Sequence, residues 1–262
     1  MRAPAVRTAK HTARKPDPDF VRASRGARTF PGDAAENYWF RRHEAAYRLA
    51  ARFLAGRGSG RILEAGCGEG SGADLLRRAG PLVALDLDPR ATARTAEAHP
   101  AGPVIRADAC GLPFAPRSFD AVVAFQLLEH LYCPGAFVET VATLLRPHGV
   151  LLVTTPNGEA SRDGEPNPFH VHEYTPDQLE GLLRTGFERV AIGGIHARPL
   201  LRALDRPAGG SLPQRLARTP FHRLPPALRM AARAVRARHF AMGRPPGCLD
   251  LFAVAERPRR PR

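Results

Sequence analysis

The segment Glu64-Ala65-Gly66-Cys67-Gly68-Glu69-Gly70 sets three glycines at alternate positions behind an acid. Glycine there lets the backbone approach a ligand closely and take dihedrals that a side chain resists. A glycine-rich turn alone is a weak signal, since a tight strand–helix turn needs the same residues. Asp86 strengthens it. Standing 20 residues after Gly66, it supplies a carboxylate that can accept hydrogen bonds from both hydroxyls of a ribose. Asp108 closes a third apolar run in the same way. A second chemically able group is Asn167-Pro168-Phe169-His170-Val171-His172-Glu173-Tyr174. Imidazole and carboxylate suit proton transfer near neutral pH. His170 and His172 alternate, so an extended segment would show both on one face, with Glu173 able to orient a neighbour. These residues could equally just fasten a loop. As metal ligands, His-x-His-Glu lacks an evident further partner, so no metal site is expected. His130 reads as structural or pocket-lining, Cys67 as a small residue in the turn. Arg42 and His43 sit on a helix that could cover a ligand.

The elements that must position these groups alternate regularly. Strand-like runs span 61–64, 82–86, 104–107, 121–125 and 150–155, with helical runs at 72–79, 91–99 and 136–145 between them. That alternation predicts an α/β fold with a parallel sheet and right-handed crossovers. Asp86 and Asp108 then fall at the carboxyl edge of the sheet, where open α/β sheets bind ligands. Thr175-Pro176-Asp177-Gln178 predicts a helix start with a capping box and an early proline. Two further strands are expected at 187–195 and 249–255, seven in all.

Outside this core, residues 1–35 carry scattered Pro, Gly and Arg without apolar periodicity and read as a disordered basic segment. Residues 36–60 read as a cap helix, with Tyr38, Trp39, Ala45, Ala46, Leu49, Phe53 and Leu54 at helical spacing. The α/β domain then spans 61–262, interrupted at 196–248 by an Arg/Pro-rich insert with a helix expected across 226–238. The insert reads as a cap on the acceptor side. The chain has 262 residues, 37 Arg and 2 Lys, and a net charge of +14. That charge divides into +8 for residues 1–60, −6 for 61–196 and +12 for 197–262. Such flanks bear on partners and solubility rather than fold, and read first as a solvated surface. No apolar run is long enough to span a membrane. Cys67, Cys110, Cys133 and Cys248 lack metal-like spacing and read as free thiols, which suits a cytoplasmic protein.

In order and spacing, ILEAGCGEG, LVALDLDP, RADACGLPF, SFDAVVAFQLLEHL and LLRPHGVLLVTTPN resemble the motifs of class I S-adenosylmethionine-dependent methyltransferases, of the type 11 or UbiE-like kind. One departure is His148, where a glycine is commoner. The resemblance implies a Rossmann-like seven-stranded, mostly parallel sheet with helices on both faces and an antiparallel last strand. It implies S-adenosylmethionine as cofactor, held by Glu64, Gly66, Cys67, Gly68 and Gly70 of the first motif. Asp86 and Leu87 then meet the ribose, Asp108 and Ala109 the adenine, and Gln126 lines the pocket. A sulfonium methyl is already activated, so the protein has mainly to align a nucleophile and exclude water. For a hydroxyl acceptor, His170, His172 and Glu173 are the candidate catalytic residues. The NPFHVHEYT loop and the ENYWFRRHEAAY helix resemble a bacterial subgroup acting on sugar hydroxyls, which implies O-methylation of a carbohydrate or glycosylated metabolite. A small aromatic, quinone or polyketide acceptor is the first alternative. Nucleic acid ranks below both, having only the basic flanks behind it, and a non-catalytic cofactor-binding regulator is the remaining reading. The oligomeric state is not legible.

Overall fold

The computed structural model describes residues 37–58, 60–161, 169–198 and 235–259. The disordered reading of residues 1–35, most of the Arg/Pro-rich insert and residues 226–234 of its expected helix lie outside the described residues. The last two residues of that expected helix, Ala237 and Arg238, lie in a single 3₁₀ turn, Ala237–His239.

The described residues begin with helix α1 (Asn37–Gly56), followed by β1 (Ile62–Ala65), α2 (Ala73–Arg77), β2 (Leu82–Asp86), α3 (Pro89–Ala98) and β3 (Val104–Arg106). Then come β4 (Phe119–Phe125), α4 (Pro134–Leu144), β5 (Leu145–Pro156), the short α5 (Gly158–Ser161), α6 (Pro176–Leu183), β6 (Phe187–Ala197), β7 (Phe240–Gly243) and β8 (Asp250–Pro258). One sheet joins all the strands in the order β3-β2-β1-β4-β5-β8-β6-β7. The first five run parallel, with Ile62 of β1 opposite both Leu82 and Ala121. Strand β8 is antiparallel to β5 and to β6, as the resemblance implied for a last strand.

Among the described residues the sheet has eight strands, one more than the seven expected. The extra one, β7, pairs antiparallel with β6 from Gly194 to Ala197 and lies inside the stretch read as an insert. Its four residues, Phe-Ala-Met-Gly, have no alternation from which a strand could be read.

Alternate residues of the central strands feed two cores, as strand geometry requires. Leu63, Val122 and Leu151 pack with Phe137, Val138 and Val141 of α4 and with Leu179 and Leu183 of α6. On the other face Ile62, Ala121 and Leu152 pack with Ala46, Ala50 and Leu54 of α1 and Leu76 of α2. Burying a leucine or phenylalanine side chain completely contributes about 1.5–3 kcal/mol, so these two layers hold the strand ends rigidly. Local signals agree with the packing. Thr175 and Gln178 form the expected capping box at α6, with Pro176 in its first turn. Asp88 caps α3 through the Arg90 amide at 2.9 Å.

Candidate active site

Beyond the carboxyl ends of β1, β2 and β4 lies a cleft of about 230 Å³. The turn after β1 forms its floor. Gly66 and Gly68 sit at φ +78° and +52°, in the left-handed region that only glycine adopts cheaply. At Gly66 a Cβ would come within 3.0 Å of the Leu127 side chain; at Gly68 it would meet nothing within 4 Å. Gly68 is therefore kept for its backbone angle and for the open space above it.

Asp86 ends β2 and holds this turn in place. Its Oδ2 accepts from the Gly68 amide at 2.8 Å and its Oδ1 from the Asp88 amide at 2.9 Å. Asp108 follows β3 and accepts from the Cys110 amide at 2.9 Å, capping the turn Ala109–Gly111. Gln126 follows β4 at φ +51°, a conformation costing a non-glycine residue about 1–3 kcal/mol and concentrated at functional sites. Its side-chain amide donates to Thr154 Oγ1 at 3.2 Å.

Gly66, Cys67, Gly68, Asp86, Leu87, Asp108, Ala109 and Gln126 thus all line one cleft, and His170 lines it too. Glu64 and Gly70 stand behind it. Glu64 is buried, with no aligned hydrogen bond to either oxygen among the described residues. Burial pushes its carboxyl up to about 7, against the pull of the nearby Tyr47 phenol and the Arg77 guanidinium. Burial and the Glu64 and Asp86 carboxylates raise the Cys67 thiol, so it is no nucleophile.

The loop before α6 departs from expectation. His170 and His172 do not share a face: His170 faces the cleft, whereas His172 is exposed and rests against the Tyr174 ring. The segment is not extended strand, because the Val171 and His172 amides both turn in to donate to the Glu129 carbonyl, at 2.7 and 3.2 Å. Glu173 does orient a neighbour, with Oε1 3.4 Å from Nδ1 of His170. Burial lowers the His170 pKa, which Glu173 partly offsets.

Two wall residues, Tyr47 and Glu129, escaped the sequence reading, whereas His43 lines the cleft from the helix on which it was singled out. Tyr47 stands one helical turn after His43, and both reach the cleft from α1; that spacing was the available signal. Burial and Arg42 lower the His43 pKa to about 3, so the ring is neutral at physiological pH. Glu129 is the second missed residue, an acid inside the run Phe-Gln-Leu-Leu-Glu-His-Leu and 1 % exposed. Its Oε2 accepts from Thr155 at 2.9 Å, and burial raises its pKa to about 8. Arg42 does not reach the cleft. It is buried against Asp250 at 2.8 Å, its guanidinium 4.3 Å from the Trp39 ring centre, pinning α1 to β8.

The four-thiol expectation is corrected as well. Cys110, after Asp108-Ala109, is disulfide-bonded to Cys133, the N-cap of α4, with Cα atoms 6.3 Å apart. The cysteines are 23 positions apart, and the residues between them contain all of β4. The turn Ala109–Gly111 after β3 packs against α4, which follows β4, so topology brings the pair together at the same sheet edge, which spacing alone hides. Cys67 and Cys248 are free and buried.

The methyltransferase domain family matches residues 63–153, which supply most of the cleft lining. A Mycobacterium tuberculosis protein described as a probable S-adenosylmethionine-dependent methyltransferase is 40 % identical over 250 residues, covering 89 % of each chain. The chain belongs to the S-adenosylmethionine-dependent methyltransferases. It is an enzyme of that family, with S-adenosylmethionine as cofactor, and the regulator reading is set aside. A ubiquinone biosynthesis O-methyltransferase of Ralstonia nicotianae is 32 % identical over 170 residues, 56 % of this chain and 69 % of that protein. Among solved structures, a possible histamine N-methyltransferase of Thermotoga maritima superposes with a TM-score of 0.59 at 16 % identity, over 91 % of this chain and 98 % of its own. That likeness shows the fold. No helix among the described residues is long and apolar enough to cross a membrane.

The residues present fit the cofactor. The space over Gly68 is open, and the acids facing it complement a cationic sulfonium and ammonium.

Proposed function

We propose that this methyltransferase O-methylates a hydroxyl of a carbohydrate or glycosylated metabolite. The observation behind this reading is that His170, with Glu173 against it, lines the same cleft as the Gly66–Gly70 turn. Methyl transfer needs no acid at the leaving sulfur, which departs as a neutral thioether. What a hydroxyl acceptor needs is help in losing its proton.

In this reading the Gly66, Cys67 and Gly68 backbone receives the methionine end of the cofactor, in a turn backed by Glu64 and Gly70. Asp86 and Leu87 take the ribose, Asp108 and Ala109 the adenine, and Gln126 and Tyr47 border the transferable methyl. His170, oriented by Glu173, promotes loss of the acceptor's proton. His172, outside the cleft, holds the loop. The cofactor supplies an electrophilic methyl group; the chain excludes water and sets the acceptor oxygen in line with it. The Arg42–Asp250 pair fixes α1, so that His43 and Tyr47 close the cleft from above.

A small aromatic or quinone acceptor is the second reading, favoured by the Ralstonia relative named for ubiquinone biosynthesis. Incubation with methyl-labelled cofactor and pools of saccharides, glycosides and phenols, read by mass spectrometry, tests both. Label on a sugar oxygen supports the first reading. Label only on phenols supports the second, and label on nitrogen or carbon alone removes both.

A further inference from the structure

Three groups able to ligate a cation meet on the cleft wall. Glu129, His130 and His170 each offer one ligand atom, and these atoms lie within 4.8 Å of one another. They come from two segments, the 3₁₀ turn Leu128–His130 after β4 and the loop before α6. The hydrogen bonds from Val171 and His172 to the Glu129 carbonyl tie the two together.

The carboxyl of Glu129 points to a missing ligand. The residue is 1 % exposed, and its Oε1 is buried with no hydrogen-bond partner among the described residues. An oxygen in that state carries the full cost of desolvation with nothing to offset it. Both imidazoles are anchored from behind. His130 Nδ1 lies 2.8 Å from the Phe169 carbonyl, and His170 Nδ1 lies 3.4 Å from Glu173 Oε1. A backbone carbonyl or a carboxylate on the far nitrogen is how ligating histidines are commonly held, fixing tautomer and ring orientation. Thr155 supports the carboxylate of Glu129 in the same manner.

We infer that Glu129, His130 and His170 form a site for one divalent transition-metal cation, with its remaining positions open to the acceptor. Two imidazoles and one carboxylate favour manganese, iron, cobalt or zinc over magnesium or calcium, which prefer all-oxygen shells. The inference rests on the O-methylation reading and specifies how His170 acts within it. A cation that takes an acceptor oxygen lowers the pKa of its hydroxyl. The hydroxyl proton passes to water, the oxygen forms a bond to the methyl carbon, and the carbon–sulfur bond breaks with its electrons going to sulfur. The cation is unchanged, so no oxidant or reductant enters. The ligand set also differs from the His-x-His-Glu pattern of the sequence. His172 stands outside it, and Glu173 supports a ligand instead of being one.

The test uses full-length, tag-free protein stripped with chelator, titrated with manganese(II) and zinc(II) by calorimetry, and with manganese(II) by electron paramagnetic resonance. One cation per chain is expected. Glu129→Gln, His130→Ala and His170→Ala should each weaken binding more than tenfold, and Glu173→Gln by about tenfold, in the range seen for supporting residues. His172→Ala should bind as wild type. If Glu129→Gln does not fold, the two histidine variants decide, with cofactor affinity as the check on folding. Failure to bind either cation with a Kd below about 1 mM, or binding unchanged in both histidine variants, overturns the site. No acceptor enters this measurement. A methyl found on another atom would therefore fail the O-methylation reading while leaving the titration result distinct.

Discussion

Asp86→Ala strikes the cofactor cleft at the point where its geometry is best defined. The carboxylate accepts the Gly68 amide at 2.8 Å and the Asp88 amide at 2.9 Å, so one side chain shapes the turn and faces the position proposed for the ribose. Truncation removes an ionised acceptor from the ribose hydroxyls and leaves two backbone donors without their partner. A hydrogen bond to a charged group is worth about 1.5–3 kcal/mol. At about 1.4 kcal/mol per decade, losing one such bond weakens cofactor binding roughly ten- to a hundredfold, and losing two weakens it further. Asp86→Asn keeps one acceptor oxygen and should fall between wild type and Ala. Isothermal titration with S-adenosylmethionine reads the affinity, and a circular dichroism melt confirms that each variant is folded. A folded Asp86→Ala protein with wild-type affinity would refute the ribose assignment and the placement of the cofactor over Gly68.

Other perturbations separate the remaining elements of the account. His170→Ala should lower turnover by about 10²–10⁴-fold with cofactor affinity retained, while His172→Ala changes turnover little; steady-state kinetics with titration checks the split. Glu64, raised from its ordinary 4.5 to about 7, favours the fold fully below its unfolded pKa, and that contribution is lost as pH rises through about 7. Relative to Glu64→Gln, the wild type should therefore lose up to about 3 kcal/mol between pH 5 and 8, and denaturant unfolding showing parallel pH profiles would contradict it. Arg42→Met leaves the Asp250 charge buried and unpaired, at a cost of about 3–5 kcal/mol in thermal or denaturant unfolding; replacing both residues by apolar ones should recover most of it. Thiol titration of the denatured, unreduced protein should find two reactive cysteines, and four after reduction.

The gathering of the glycine turn, Asp86 and Asp108 at one cleft was legible because its signals are local. A glycine turn after an apolar run, an acid at the end of the next strand and another after the third each declare themselves within a few residues. Parallel topology then brings Gly68, Asp86 and Asp108 together at one sheet edge without further instruction. The acceptor half depends on contacts that the sequence does not announce. Glu129 meets His170 only because a loop more than 40 residues later folds back onto the turn after β4. Arg42 has the spacing of a solvated helix residue and is buried because β8, at the far end of the chain, presents Asp250 to it. Alternation misled at His170 and His172, since backbone donors turned toward the Glu129 carbonyl prevent the extended conformation that alternation assumes. The same holds for β7, whose identity as a strand comes from the exposed edge of β6 and not from its own four residues.

The central claim is that one cleft binds S-adenosylmethionine over Gly68 and delivers its methyl to an acceptor oxygen beside His170. Product analysis after incubation with methyl-labelled cofactor and a saccharide and glycoside pool tests it most directly, with wild type and His170→Ala compared at saturating cofactor. The account predicts a labelled O-methyl ether formed by the wild type, and its loss in a His170→Ala protein that still binds the cofactor normally. A product methylated at nitrogen or carbon, or O-methylation undiminished in His170→Ala, would contradict it.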